Sequence, residues 1–203
     1  MPNRRRARRS PADPQQALIA AALKLAASQG WRQTSMAEIA ASAGVSLDEA
    51  CALFPSKFAV LRGFRHGIDR AVLAHRAPAA EDSPRDRLFD VLMRRFEALK
   101  PHRLGLRAIL RDAVGDPASL RGLPGLVASM GWMREAAGLP TGGCHGRLAS
   151  RLTAALYLSV LPVFLRDESA DLGTTMAALD RRLRQAETLL GSFRPLRVRT
   201  AKP

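Results

Sequence analysis

The chain has 203 residues, 47% of them hydrophobic and 25% charged, with 32 Lys and Arg against 18 Asp and Glu for a formal charge of +14. That apolar fraction excludes a chain disordered throughout, and the length suits one or two domains with a real core. Two cysteines without framework spacing, Cys51 and Cys144, exclude a disulfide scaffold and point to a reducing compartment, while the charge points to a polyanion, nucleic acid or anionic membrane.

Arg4, Arg5, Arg6, Arg8 and Arg9 make residues 1–12 a flexible basic arm, and residues 192–203 form a basic tail with Arg194, Arg197, Arg199 and Lys202. Solubilising tails without a partner have the same composition. Residues 17–27 are apolar and follow arginines, as an export signal would. Lys24 breaks that run, however, and the pattern continues as an amphipathic helix, so the expected location is the cytoplasm.

Helical periodicity dominates, with no period-2 strand pattern, and the fold class is all-α. Asp13 and Pro14 open the first helix and Gly30 ends it. Ser35 and Glu38 have capping-box spacing ahead of a helix over 36–43. Gly44 stops that helix, and Ser46 with Glu49 repeats the spacing ahead of a helix over 47–53. Pro55 precedes a fourth helix over about 56–75. Together 13–76 read as one small N-terminal unit, joined by an Ala-, Pro- and acid-rich stretch at 77–84 to a larger helical unit over 83–191.

In that larger unit helices are expected over 85–99, 103–114, about 123–137, 147–166 and 172–190, with a Gly-rich break at 138–146. The apolar run 152–165 is shorter than the roughly 20 residues of a membrane span and contains Pro162, so it reads as a buried helix. Phe89, Met93, Phe96, Met130, Trp132 and Met133 supply adaptable apolar surface, either core or the lining of a ligand pocket. Cys144 and His145 have no partner pair nearby in sequence, so no metal is expected. There is no Gly-x-Ser-x-Gly, P-loop or dinucleotide fingerprint. An enzyme is not expected, nor a cofactor.

Helix, Gly turn, helix over 36–54 is the pattern of a helix-turn-helix, although a plain helical hairpin has it too. Gly44 tolerates a left-handed backbone, Val45 packs inward and Ser46 caps the second helix. The set Gly30-Trp31, Thr34-Ser35-Met36, Glu38-Ile39-Ala40, Ala43-Gly44-Val45-Ser46 and Phe54-Pro55-Ser56-Lys57 resembles the N-terminal region of TetR/AcrR-type transcriptional regulators. The resemblance implies a homodimer with a three-helix head on a palindromic operator in double-stranded DNA. It also implies a C-terminal core that binds a small apolar ligand and dimerises through its last two helices. Carried over by position, Arg4, Arg5 and Arg6 would track phosphate or the minor groove. Thr34 and Lys57 would hold the DNA backbone, and Ser46, Leu47, Glu49 and Ala50 would lie nearest the bases.

The reading helix departs from that family's usual pattern. It reads Leu47, Asp48, Glu49, Ala50, Cys51, with Cys51 where a phosphate-contacting Tyr is usual. Acids at a helix N-terminus stabilise the helix, repel phosphate, and can accept a hydrogen bond from cytosine N4. Residues 156–180, followed by Arg181, Arg182 and Leu183, also resemble the C-terminal region of a TetR-folded lipid-binding accessory protein of ubiquinone biosynthesis. That second resemblance implies an isoprenoid or acyl lipid in the core and no DNA reading.

Overall fold

The computed structural model describes residues 13–75, 77–79, 81–114 and 122–192, leaving aside the side chains of 189–192. The expected arm, with Arg4, Arg5 and Arg6, and the tail beyond 192 lie outside the described residues.

Among the described residues every regular element is helical. Helix α1 (Pro14–Gln29) starts as its sequence dictates: the Asp13 side chain accepts from the Gln16 N–H at 3.0 Å, and Pro14 occupies the first turn. Helices α2 (Met36–Ala43) and α3 (Leu47–Leu53) follow, and α4 (Lys57–Leu73) closes the N-terminal unit behind its Ser56 cap. In the C-terminal unit come α5 (Pro84–Leu99), a single 3-10 turn at Lys100–His102, α6 (Arg103–Ala113), α7 (Leu123–Ala136), α8 (Gly143–Arg166) and α9 (Gly173–Ser192).

The expected breaks stand, with one shortened. Residues 143–146, expected in the loop, are the first turn of α8, and Gly146 there lies so close to Thr141 that a Cβ would sit 2.1 Å from its carbonyl carbon. Pro162 is accommodated inside α8 without ending it. At 24 residues α8 is longer than its apolar run, and by length and composition alone it matches a membrane-crossing helix. One side, with Thr153, Tyr157, Val160 and Phe164, is buried in the core, while Leu148, Leu152 and Leu158 lie exposed on the other.

The two units share one continuous apolar core. They meet where α4 packs on α5 and α7 and where α6 packs on α1; at the latter Gly105 lets the two backbones approach, since a Cβ there would stand 2.6 Å from the Leu23 carbonyl oxygen. The boundary expected at 77–84 is therefore a break in the chain path and leaves the packing continuous. In the C-terminal unit the centre is aromatic. Phe96 stacks on Tyr157 at 5.0 Å and meets Phe164 at 5.1 Å between ring centres, with Met130 and Met133 fully buried beside the core.

Candidate nucleic-acid interface

The turn between α2 and α3 forms as its residues require. Gly44 takes the left-handed conformation with φ +71°, and its N–H caps the Ala40 and Ala41 carbonyls. Val45 is buried, and the Ser46 hydroxyl oxygen accepts from the Glu49 N–H at 3.1 Å. At the other end of α2 the capping box closes. The Ser35 N–H donates to the Glu38 carboxylate at 2.8 Å and the Glu38 N–H to the Ser35 hydroxyl at 3.3 Å. The first of these bonds, with those from the Ser35 hydroxyl and Gln29, holds the Glu38 carboxyl below its ordinary range. Such caps contribute about 1 kcal/mol each, and a seven-residue helix such as α3 depends on its cap and its packing to persist.

Helix α3 is anchored by Ala50, which is fully buried, and by Phe54, whose ring lies over Gly63 of α4. A Cβ at Gly63 would stand 2.7 Å from that ring. The side facing outward carries Ser46, Leu47, Asp48, Cys51 and Ala52, with Glu49 half-buried at its edge. Ala50, expected near bases, is fully buried against the rest of the head and thus belongs to the core. Ser46 and Leu47 are exposed, and Glu49 is half-buried.

Two further expected contact residues have their polar groups bonded within the head. Thr34 is 2% exposed and its hydroxyl donates to the Gly30 carbonyl at 2.8 Å, so it fastens the α1–α2 loop from within. The Lys57 ammonium donates to the carbonyls of Trp31 (2.9 Å), Thr34 (3.1 Å) and Arg32 (3.4 Å) and lies 5.0 Å from the Trp31 ring centre. An ammonium has three N–H donors, and all three are satisfied by that loop. Lys57 therefore braces the loop in front of α2, where a phosphate contact was expected.

Sequence reasoning missed the acceptor that holds the same loop from the other unit. The Asp112 carboxylate of α6 accepts the N–H of Trp31 at 2.7 Å and of Arg32 at 3.1 Å, and Arg32 Nε donates to the Asp112 carbonyl at 3.1 Å. With Arg32 bonded to Asp112 and Lys57 to the loop carbonyls, the outward side of α3 itself presents an acid, a thiol and a leucine. Nine of the chain's 32 basic side chains fall in residues 1–9 and 194–202, outside the described residues.

The six residues offered as a ligand lining divide. Met93, Phe96, Met130 and Met133 are buried core, and Phe89 is half-buried against it. Trp132 is 37% exposed and faces His66, with 5.7 Å between ring centres. Its neighbour Met133 points about 100° away and is fully buried. The buried charges missed by sequence reasoning lie among these core residues: Arg95 of α5, ion-paired with Asp69 of α4. A signal for them existed. Leu88, Leu92, Arg95 and Leu99 recur at helical spacing, so Arg95 occupies a core position of its own helix.

Residues 18–62 match the sequence model of the bacterial regulatory proteins, tetR family. Over most of the chain the fold is similar to solved regulators. A TetR transcriptional regulator from Nitrosomonas europaea aligns at a TM-score of 0.68 and 24% identity, covering 87% of this chain and 99% of that one. A TetR transcriptional regulator from Rhodococcus sp. RHA1 aligns at 0.62 and 22%, covering 87% and 96%. NalD, the secondary repressor of the MexAB-OprM multidrug efflux pump in Pseudomonas aeruginosa, aligns at 0.51 and 19%, covering 84% and 94%. No curated protein matches the chain by sequence.

Proposed function

From a head of the tetR regulatory family on a helical core of TetR fold, we infer that this chain is a cytoplasmic, ligand-responsive transcriptional regulator, acting as a repressor on a palindromic operator. The observation that carries the reading is the helix-turn-helix itself. The left-handed Gly44, the buried Val45 and the capping Ser46 set α3 against α2 with one side turned outward. A homodimer places two such helices one helical turn apart on a palindrome. The exposed leucines of α8, with Met176 of α9, are the surface on which two copies would pair. The arginines at the chain ends supply the sequence-independent attraction that the acidic α3 does not.

The test is capture of genomic fragments by the purified full-length protein at physiological salt with excess competitor DNA. The expected result is a palindromic footprint. One observation favours a second reading, a TetR-folded lipid-binding accessory protein: the outward side of α3 offers Asp48 and no cation. Failure to enrich any fragment, with lipid extracted from the folded protein, decides for that second reading.

A further inference from the structure

Helix α4 belongs to both units. Its first turns stand in the head, where Lys57 braces the α1–α2 loop and Gly63 lies under the Phe54 ring. Its later turns pack on α5 and α7 in the C-terminal unit. The angle of α4 on those two helices is therefore the angle of the head on the core. Asp69 stands 12 residues beyond Lys57, about 18 Å along the helix. A tilt of about 10° at Asp69 moves the Lys57 end by about 3 Å, close to the roughly 3.4 Å rise of one base pair.

At Asp69 the contact between the units is ionic. Asp69 and Arg95 of α5 are ion-paired at 1% and 3% exposure. The same Asp69 oxygen accepts the Ser129 hydroxyl of α7 at 2.7 Å. The Arg95 guanidinium in turn lies 5.5 Å from the Tyr157 ring centre on α8. One carboxylate oxygen thus ties α4 to α5 and α7 at a single point. As a stabilising contact the cluster is poor. Asp69 Oδ2 and Arg95 Nε are buried and meet no partner, and a buried ion pair rarely outdoes well-packed apolar residues of similar size. What the cluster supplies is direction. Phe64, Ile68 and Val72, the other buried residues of these turns, are held by a non-directional attraction. A hydrogen bond, by contrast, weakens steeply once it is misaligned.

We propose that Asp69 and Arg95 are positioning residues, fixing the angle at which the head stands on the core and with it the distance between the two α3 helices of a dimer. The consequence for α3 spacing rests on the dimeric regulator inferred above; the head-to-core angle does not.

The chain carries its own reporters. Cys51 on α3 and Cys144 at the start of α8 are free and exposed, one on the head and one on the core. Both thiols of the full-length protein are spin-labelled, and the labelled chain is mixed with an excess of unlabelled chain in which both cysteines are serine. The distance measured is then head to core within one chain, and wild type is expected to give a single narrow distribution. Asp69→Val leaves Arg95 buried and unpaired and should lower the melting midpoint; adding Arg95→Met should return it to the wild-type value or above. The double variant, although stable, should show a distribution roughly twice as wide or more. A double variant that melts below Asp69→Val, or that keeps the wild-type distribution, overturns the assignment. Should neither variant fold, Asp69→Asn, which keeps the side-chain shape and gives up the ion pair, decides: broadening supports the assignment and wild-type width overturns it.

The same preparations are carried to the operator recovered by fragment capture. One base pair inserted between its half-sites should cost wild type about tenfold in affinity and the double variant about threefold or less. Equal losses overturn the consequence for α3 spacing. Broadened distances without any footprint remove the regulator and leave the positioning role. A footprint with unbroadened distances removes the positioning role and leaves the regulator.

Discussion

The Asp112 carboxylate on α6 accepts the backbone N–H of Trp31 at 2.7 Å and of Arg32 at 3.1 Å, joining the C-terminal unit to the loop between α1 and α2. A carboxylate that accepts backbone N–H groups is favoured in its charged form. The Arg32 N–H, opposed by burial and helped by Arg111 and the Trp31 N–H, holds the Asp112 carboxyl below its ordinary range. The sign follows: this contact is at full strength above the ordinary carboxylate pKa and is lost as pH falls through the depressed one. Asp112→Ala should speed amide exchange at Trp31 and Arg32 at neutral pH while leaving exchange in the core of α8 unchanged. Unchanged exchange at the two amides would show that Lys57 alone holds the loop.

Lys57→Ala separates bracing from DNA contact. With three carbonyls losing a charged donor, the variant should lose about 1–3 kcal/mol of stability, read from denaturant midpoints. Its affinity for DNA should fall with the stability of the head, but the slope of log affinity against log salt should stay put, since no phosphate charge is given up. A slope shallower by about one would mean that Lys57 leaves its carbonyls for a phosphate in the complex.

The local elements were legible in the sequence because their signals are local. Asp13, Ser35, Ser46 and Ser56 each cap the helix that follows them, and Gly30 and Gly44 each end one. The site was legible only in part. Distance along the chain hides Asp112, which meets Trp31 across 81 residues. Exposure misleads at Lys57 and Thr34, whose polar atoms are consumed by a loop that only the folded head creates. Ala50 could have been assigned inward from the turn geometry, because α3 is too short to be held without one buried anchor.

The α8–α9 connection is fixed by Asp167, 4% exposed, whose carboxylate accepts from the Thr175 N–H at 2.7 Å and hydroxyl at 2.6 Å and from Ser169. Burial pushes this carboxyl up, but the bonds from Ser169 and Thr175 outweigh it and hold it at about 2, against an ordinary 3.8. A depressed carboxyl contributes stability above the unfolded pKa and loses it as pH falls toward the folded one. The window is therefore from about pH 4 down to about 2. The contribution at neutral pH is about 2 kcal/mol. Asp167→Asn should remove that part of the acid dependence and lower the neutral-pH midpoint. Melting curves between pH 2 and 7 would show whether the two profiles converge at the acid end.

Gly105→Ala tests the α1–α6 contact without touching a polar group. The new Cβ meets the Leu23 carbonyl oxygen at 2.6 Å, a backbone atom that cannot rotate away. Overpacking of this kind costs about 1–3 kcal/mol, more than the helix propensity gained by replacing Gly. A stabilised variant would show that α6 shifts along α1 at little cost.

On the proposed function, Asp48 decides how the acidic helix α3 meets DNA. It is exposed on the outward side of α3, next to Leu47. If it faces phosphate, Asp48→Asn relieves repulsion and raises affinity for every sequence alike. If it accepts from cytosine N4, the same change raises non-specific affinity and lowers affinity for the operator, because the carboxylate acceptor is replaced by a weaker amide. The expected outcome is the second, since the chain ends carry most of the cationic surplus and leave α3 free to discriminate bases. The ratio of specific to non-specific affinity should fall about fivefold or more at constant salt. A ratio that holds while both affinities rise would place Asp48 beside the backbone and leave base reading to Leu47 and Glu49.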